Sequence, residues 1–284
     1  GEVKIAKLIN PIQVSDFNSL RELREFLIDI IRKRRQEANK GRVVNFEESA
    51  VIDETNVVSL AGGSLGGKGR GLAFINTLIY SFELGRLLPG INIKAPITAI
   101  IGTDEFDMFM ERNHLWNSVK EEKDFYTLQK LFLEGSLSYT LEKELRVYLR
   151  HIDKPLAVRS SSLFEDSLSQ PFSGIFGTYL LPNNHPDFEV RLRQLSGAIK
   201  LVFSSIYSKS ARTYFEAINY KIELEKMAIV IQEVVGNRFG DAFYPHISGT
   251  AQSFNFYPVA HMTPEDGFAV MAVGLGHYVV DHFR

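Results

Sequence analysis

The chain has 284 residues, of which 45% are hydrophobic and 12% aromatic. This length and composition are sufficient for a sizeable core, and they exclude both intrinsic disorder and a disulfide-stapled miniprotein. The 32 lysines and arginines nearly balance the 34 aspartates and glutamates, so that the formal net charge is −2. This balance argues against a general basic surface, and no nucleic-acid partner is expected.

The sequence contains no cysteine, which excludes disulfides, thiolate metal sites and cysteine nucleophiles. Its apolar runs are shorter than the roughly 20 residues that a membrane-spanning helix requires. Residues 1–4 lack the apolar core of a signal peptide. We therefore predict a cytoplasmic protein without a membrane partner.

The first predicted element is an amphipathic helix over residues 15–40, because apolar side chains recur there at spacings of three and four. Residues 1–50 are assigned to an N-terminal helical linker that contains it. The basic cluster Arg32–Arg35 at the end of this helix could meet a nucleic acid or an acidic partner. Because the helix dipole also favours cations at a C-terminus, a solvated helix end is the preferred interpretation.

A glycine-rich loop follows a predicted strand over residues 57–60 and precedes a predicted helix over residues 72–84. Closely spaced glycines let backbone N–H groups approach an anion, and the ammonium of Lys68 can neutralise it, which suits a phosphate. The loop has the spacing of a P-loop, but Gly69 stands where a P-loop carries the hydroxyl that holds Mg²⁺. A flexible surface loop remains the alternative.

The rest of the chain predicts strands and helices without strict β–α–β alternation, which favours an α+β fold over a doubly wound sheet. A domain boundary is expected near residues 153–155. Strands are predicted over residues 91–101, 156–159, 175–181, 227–235, 247–257 and 268–275, and helices over most of 103–149 and over 187–220.

A second polar cluster follows the strand predicted after the boundary, where Arg159 precedes three serines and the acidic pair Glu165 and Asp166. The planar fork of an arginine matches phosphate oxygens, and the hydroxyls of Ser160–Ser162 add donors. A structural salt bridge from the arginine to one of the two acids is the alternative. A hydrolase triad is not expected, because no histidine and acid stand at catalytic spacing from the serines.

The segment AVRSSSLFEDSLSQPFSG resembles AVRSSATAED…SFAG in the N-terminal nucleotide-binding domain of the phosphoenolpyruvate synthase and pyruvate phosphate dikinase family. GGSLGGKGRGLA is similar to the GGK loop of that family, MAIVIQEVV to its VQEMV hinge strand, and VGLGHYVVD to its GLGE segment. SGTAQSFNFYP lies where the family has a strand that ends in a phenylalanine-rich turn. These segments follow the family's order over about residues 57–281, and the first 50 residues have no recognised counterpart.

The resemblance implies an ATP-grasp fold, in which two α+β lobes close on ATP. The lobes would comprise residues 51–154, with the glycine-rich loop, and residues 155–284, which end before the family's further nucleotide contacts. Lys68 and Arg159 would contact the nucleotide phosphates and act as the catalytic residues. Gly174 would let the backbone approach the phosphates.

The resemblance also implies an adenine-binding hinge, formed by Gln232, Glu233 and Val235 partly through backbone groups. In the same family pattern, Glu165 and Asp166 would position Arg159 or its loop rather than bind metal. Arg212 lies in a region where the family has another arginine, and it is not assigned to the site.

The sequence departs from the family at the expected Mg²⁺ ligand, because His277 replaces the glutamate of GLGE. Neutral imidazole is a poor Mg²⁺ ligand, since that ion prefers oxygen donors. Asp281 is close in sequence, but a strand would place it about 13 Å away. A Mg²⁺ site is therefore expected without assigned residues.

The function implied by the resemblance is phosphoryl transfer from ATP to a phosphocarrier histidine on a missing domain, and then to an acceptor such as pyruvate. None of the seven histidines lies in a motif like that of the carrier. One alternative is a degenerate nucleotide-sensing module that regulates an attached domain. A complete small ATP-grasp ligase is weakened by the lack of a visible acceptor site.

Overall fold

The computed structural model describes residues 3–47, 52–82, 88–122, 124–162, 164 and 174–276. The chain divides into two compact units, Gly1–Glu233 and Val234–Arg284. No helix in the described ranges is both long enough and apolar enough to cross a membrane.

The first unit contains one six-stranded mixed sheet with the strand order β1-β2-β3-β6-β4-β5. The first three strands of this order are parallel, and β6 pairs antiparallel with both β3 and β4. Strand β5 is antiparallel to β4 at the edge. The strands are β1 (Val43–Asn45), β2 (Val57–Ala61), β3 (Thr98–Ile101), β4 (Leu156–Ser162), β5 (Thr178–Leu181) and β6 (Met227–Glu233).

Helices cover both faces of this sheet. The helices are α1 (Val3–Ile9), α2 (Leu20–Asn39), α3 (Gly66–Ser81), α4 (Thr103–Arg112), α5 (Leu115–Glu121), α6 (Phe125–Glu134), α7 (Tyr139–Arg150), α8 (Phe188–Ser204) and α9 (Lys209–Ala217). Short 3₁₀ turns lie at Val14–Asp16, Ser205–Tyr207 and Ile222–Leu224.

The larger core lies between one face of the sheet and helices α4 to α9, and its buried side chains include Phe106, Phe203 and Ile229. On the opposite face, Val57, Ile100 and Val230 pack against partly buried side chains from the start of α3. Every residue of β6 is buried because this strand lies inside the sheet and is covered on both faces. The mixed sheet with its helices confirms the predicted α+β class.

Several predicted elements differ from the structure at their ends. The helix predicted over residues 15–40 begins at Leu20, because the Ser19 hydroxyl accepts a hydrogen bond from the Glu22 N–H and caps it. The helix predicted from residue 72 begins already at Gly66, so that Lys68 belongs to its first turn.

Two long predicted helical regions are interrupted. The region over 103–149 forms four helices, α4 to α7, and His114 adopts a left-handed conformation with φ of 53° between the first two. The region over 187–220 is divided by the 3₁₀ turn Ser205–Tyr207. Apolar periodicity continues across such breaks, so periodicity alone does not locate them.

The boundary predicted near residues 153–155 lies inside the first unit. Strand β4 follows this point in sequence and pairs with β6, which pairs in turn with β3 from before it. Elements from both sides of the predicted boundary therefore share one sheet. The division of the chain into lobes at residue 154 stays a prediction.

The second unit contains two antiparallel strand pairs. They are formed by β7 (Asn237–Phe239) with β8 (Ala242–Tyr244) and by β9 (Ile247–Gln252) with β10 (Phe268–Val273). A 3₁₀ turn at Pro264–Asp266 precedes β10. The strands predicted over residues 247–257 and 268–275 correspond to β9 and β10 with earlier ends.

Candidate functional site

The glycine-rich loop lies between β2 and α3 and is attached to the N-terminus of α4. The Ser64 N–H donates to the Thr103 hydroxyl at 3.0 Å, and the Thr103 N–H donates to the Ser64 carbonyl at 3.0 Å. Gly63 has a φ of +96°, and a Cβ there would come within 2.6 Å of the Asp104 backbone nitrogen, so a side chain at this position would collide with α4. The glycines of this part of the loop therefore permit close packing against the neighbouring helix.

Ser161 on β4 holds the second half of the loop. Its hydroxyl accepts a hydrogen bond from the Gly69 N–H at 2.9 Å and donates to the Leu65 carbonyl at 2.8 Å. Gly66 has a φ of +66°, and a Cβ there would overlap the Ser161 carbonyl. The loop thus requires glycine at position 66, both for its conformation and for its contact with β4.

The three serines of the VRSSS segment are buried. Because Ser161 is fully buried and its hydroxyl both accepts from and donates to the loop, it is not a phosphate donor of the kind expected from the sequence. Its role is to attach the glycine-rich loop to the sheet.

Lys68 lies beside the same strand. Its Nζ donates to the Ser160 hydroxyl at 3.4 Å, although the two residues are 92 positions apart in sequence. Ser160 directly follows Arg159 in β4, so Lys68 contacts the strand that carries Arg159.

Arg159 is held by a chain of hydrogen bonds across three strands. Its Nη1 donates to Oε1 of Gln232 on β6 at 2.9 Å, and Nε2 of Gln232 donates to the Thr98 hydroxyl on β3 at 3.1 Å. Thr98 in turn donates to the Pro96 carbonyl at 2.8 Å. Because the threonine hydroxyl is used as a donor to the carbonyl, it accepts from the amide nitrogen, and the amide oxygen of Gln232 faces the arginine.

The charge of Arg159 is not cancelled by its described surroundings. Within the described ranges no carboxylate forms an ion pair with this guanidinium, whose hydrogen-bond partner is a neutral amide. Glu165 and Asp166, the acids expected to position it, lie outside the described residues.

The predicted adenine hinge is placed only in part. Gln232 is buried and its side chain binds Arg159 and Thr98. Glu233 is also buried: its N–H donates to the Ile97 carbonyl at 3.0 Å, and its carboxylate pairs with Lys154 at 3.1 Å. Val235 belongs to the second unit, where its side chain is 64% exposed. Contact of these residues with adenine stays a prediction.

Gly174 has a φ of +79°, a conformation that favours glycine, and no described residue lies within 4 Å of the position that a Cβ would take. The approach of a phosphate to this backbone stays a prediction. Residues 165–173, which precede it, lie outside the described residues, as do His277 and Asp281.

Arg212 has a structural position in the first unit. Its Nη2 donates to the carbonyls of Val119 at 2.7 Å and Glu122 at 3.3 Å, at the C-terminal end of α5. Its Nε donates to the Tyr207 carbonyl at 3.0 Å, and the guanidinium lies 5.8 Å from the centre of that tyrosine ring. These bonds satisfy carbonyls that a helix end leaves without partners.

In the described ranges, no group of three or more histidine, aspartate or glutamate side chains is arranged to hold a metal ion. The groups around Lys68 and Arg159 are cations, hydroxyls and amides, which suit phosphate oxygens rather than Mg²⁺.

Sequence reasoning missed Thr98 and Thr103, which fix the glutamine amide and the glycine-rich loop. The available signal at Thr98 was a polar residue at the start of the otherwise apolar strand β3. Its partner could not be identified in advance, because Gln232 lies 134 positions away in sequence.

These contacts define an α+β domain with a glycine-rich loop and two cations beside one strand of a mixed sheet. The family model for the pyruvate phosphate dikinase AMP/ATP-binding domain matches residues 63–283, and the chain belongs to this family. The match confirms the resemblance inferred from the motifs. The observed α+β architecture is that expected of an ATP-grasp-like domain of the family.

The chain is also similar to the uncharacterized phosphotransferase YvkC of Bacillus subtilis (strain 168). The two are 27% identical over 191 residues, which cover 66% of this chain and 20% of that protein. The similarity thus concerns about a fifth of the relative's length. A nucleotide-binding role follows from the family.

Proposed function

We propose that this ATP-binding domain supplies the phosphoryl group of ATP to a phosphocarrier histidine on another domain of a longer chain, as in phosphoenolpyruvate synthase-like dikinases. The family match supports the nucleotide, and the relative, a phosphotransferase of greater length, supports the further domains. The residues of this chain do not identify the molecule, pyruvate or another, that accepts the phosphoryl group from the histidine.

The observation that carries the proposal is the neutral partner of Arg159. Gln232 orients the guanidinium through an amide oxygen without an opposing charge, so the cation remains able to pair with a phosphate.

Lys68 is proposed as the second phosphate contact, because α3 begins within the glycine-rich loop and places this ammonium beside β4. Gly174 is proposed to approach the phosphates through its backbone. Gln232, Glu233 and Val235 are proposed as the adenine-side residues on the basis of the family resemblance. Catalysis by these groups would consist of positioning and charge neutralisation.

Mg²⁺ is proposed from the resemblance alone. When bound, it would neutralise phosphate charge, and no described residue is assigned to it. The replacement of the family's glutamate by His277 favours a second candidate function, a nucleotide-sensing module without catalysis.

Isothermal titration with ATP and Mg²⁺ tests the binding step. Arg159→Ala and Lys68→Ala should each lower the affinity for ATP by roughly 10- to 150-fold, because each removes a charge-assisted contact to phosphate. The affinity for adenosine, which has no phosphate, should stay nearly unchanged. Arg193→Ala, which removes an exposed arginine from α8, is the matched control. Equal losses for ATP and adenosine would indicate residues that hold the fold, and no binding at millimolar ATP would refute the proposal.

Labelled ATP tests the transfer step. The 284-residue chain alone should form no acid-labile phosphohistidine, because it carries no motif of the phosphocarrier. The longer protein should form it, and transfer there would support the dikinase function over the sensing module. Stoichiometric label on His277 of the isolated chain would contradict the proposal, since the acceptor would then lie within this chain.

A further inference from the structure

Helix α3 turns small residues toward the protein and large apolar residues toward solvent. Its buried residues are three glycines and one asparagine, namely Gly66, Gly67, Gly69 and Asn76. In contrast, the Phe74 side chain is 64% exposed and that of Ile75 is 50% exposed. A helix on a surface that stays in water normally shows the opposite distribution. The outer face of α3 is therefore suited to contact with a partner.

The apolar residues of this outer face form a stripe along α3. Phe74, Leu78 and Phe82 follow one another at intervals of four residues, and Ile75 stands three residues before Leu78. Residues at intervals of three and four lie on one face of a helix. Phe82, which is 65% exposed, continues the helical path, because its N–H donates to the Leu78 carbonyl at 3.0 Å. These four residues, none of which carries a charge, are called the α3 stripe.

The opposite side of α3 attaches the helix to the rest of the first unit. The Asn76 side chain donates to the Thr55 carbonyl at 3.2 Å, and the Tyr80 hydroxyl donates to the Glu54 carbonyl at 3.0 Å. Leu72 packs against the smaller core of the sheet. A partner can therefore cover the α3 stripe without displacing the contacts that hold the helix.

The spacing of the α3 stripe is symmetric about Leu78. Phe74 stands four residues before it, and Phe82 stands four residues after it. If two antiparallel α3 helices are related by a two-fold axis at Leu78, Phe74 of each copy lies opposite Phe82 of the other. A two-fold interface requires such a self-complementary surface. The pattern thus favours a second copy of this chain as the partner.

The exposed area of the α3 stripe indicates how strong such a contact is. A phenylalanine side chain has about 150 to 250 Å² of surface, so the stripe offers on the order of 400 Å² from each copy. With the flanking side chains, two copies together would bury about 1,000 Å², the size of weak and reversible complexes. Aromatic side chains are enriched in the centres of protein interfaces, as they are here.

We propose that the α3 stripe is the interface of a weak homodimer, in which two copies of the chain pack their α3 helices antiparallel about Leu78. Phe74 of one copy packs against Phe82 of the other, and the two Leu78 side chains meet at the axis. Lys68 precedes the stripe on the same helix and is not part of it. The dimer is independent of the phosphoryl transfer proposed above.

Sedimentation equilibrium of the chain between about 1 μM and 1 mM tests self-association. The weight-average mass should rise toward twice that of the monomer, with a dissociation constant on the order of 0.1 mM. Tyr139→Lys, which removes an aromatic side chain of 76% exposure from α7, should associate like the wild type. A mass that stays monomeric, or one that rises beyond the dimer, would overturn the proposal.

Two double variants test the antiparallel pairing. Phe74→Lys with Phe82→Lys should raise the dissociation constant at least about tenfold, because lysines then face each other across the axis. Phe74→Lys with Phe82→Glu places opposite charges at the same contacts and should associate at least about fivefold more tightly than the first variant. Both positions are exposed, so both variants should keep the wild-type stability in urea. Equal association of the two variants would refute the antiparallel pairing.

A disulfide at the axis provides a measurement that does not depend on charge. The chain has no cysteine, so Leu78→Cys introduces a single thiol. Because the two copies meet at this residue, mild oxidation should give a covalent dimer at concentrations where the wild type associates. Ser210→Cys, an exposed position on α9, should form it at least roughly tenfold more slowly. Equal rates of cross-linking for the two variants would overturn the proposed axis.

Discussion

Arg159 and Gln232 are joined side chain to side chain across neighbouring strands, with Nη1 of the arginine 2.9 Å from Oε1 of the glutamine. In the register of β4 and β6, Gln232 lies opposite Ala157, two residues before Arg159. Arg159 and Gln232 are therefore diagonal neighbours on one face of the sheet. The Thr98 hydroxyl on β3 accepts a hydrogen bond from Nε2 of the same glutamine and so fixes its amide group. The arginine is thereby oriented by a neutral group.

Gln232→Glu should weaken ATP binding by about tenfold or more, because a carboxylate at this position would pair with Arg159 and compete with phosphate. Adenosine should lose much less affinity. Isothermal titration measures both ligands. Gln194→Glu, an exposed change of the same kind on α8, is the control. Undiminished ATP binding by Gln232→Glu would show that Arg159 does not contact phosphate.

Ser161→Ala should lower the free energy of unfolding by about 1 to 3 kcal/mol, because the Gly69 N–H and the Leu65 carbonyl lose their buried partner. ATP binding should weaken as well, since the loop that carries Lys68 is no longer attached to β4. Urea unfolding and ATP titration measure the two effects. Ser210→Ala on the exposed side of α9 should change neither.

Arg212→Ala should lower the free energy of unfolding by about 2 to 4 kcal/mol and leave the affinity for ATP within about twofold of the wild type. The reason is that this side chain binds the carbonyls at the end of α5 rather than the proposed phosphate contacts. Denaturant unfolding and ATP titration together check the prediction. A selective loss of ATP affinity with unchanged stability would contradict this prediction and would indicate that Arg212 contacts the nucleotide.

Glu144→Gln should alter the pH dependence of stability. Burial, aided by the charge of Glu105 and opposed by that of Lys143, raises the pKa of Glu144 from 4.5 to about 7. Between these two values the folded protein holds a proton that the unfolded chain has lost. The free energy of unfolding contributed by this group therefore falls as the pH rises through that window.

Urea unfolding at about pH 5 and about pH 8 measures this effect. The variant should lose less stability than the wild type between the two conditions, because its side chain does not ionise. Glu142→Gln, an exposed neighbour on α7, should retain the wild-type dependence. If Glu144→Gln kept the pH dependence of stability of the wild type, the Glu144 carboxyl would not be its cause.

The chemistry of the candidate site was predictable where it depends on short segments. The glycines around Lys68 and the position of Arg159 at a strand are local features, and both are visible in the printed sequence. The almost continuously apolar run of residues 227–235 likewise predicted a buried strand, and all residues of β6 are buried. Such features depend on residue types and spacings within about ten positions, which act before tertiary contacts form.

The partners of these residues could not be predicted, because hydrogen bonds between distant segments depend on strand order and register. Ser161 was expected to help bind phosphate, and the pairing of the strands places it under the glycine-rich loop. The boundary expected near residue 154 follows a plausible local signal, whereas the sheet pairs strands from both sides of it.

By itself the sequence determined the α+β class, the family and the two cations of the candidate site, since these follow from composition, local pattern and motif. Only the tertiary structure decided that Gln232 orients Arg159, that Ser161 holds the loop and that Arg212 binds the end of α5. The physical reason is that a hydrogen bond requires its two groups within about 3 Å and correctly oriented. For residues far apart in the chain, the register of the strands and the packing of the helices alone create that geometry.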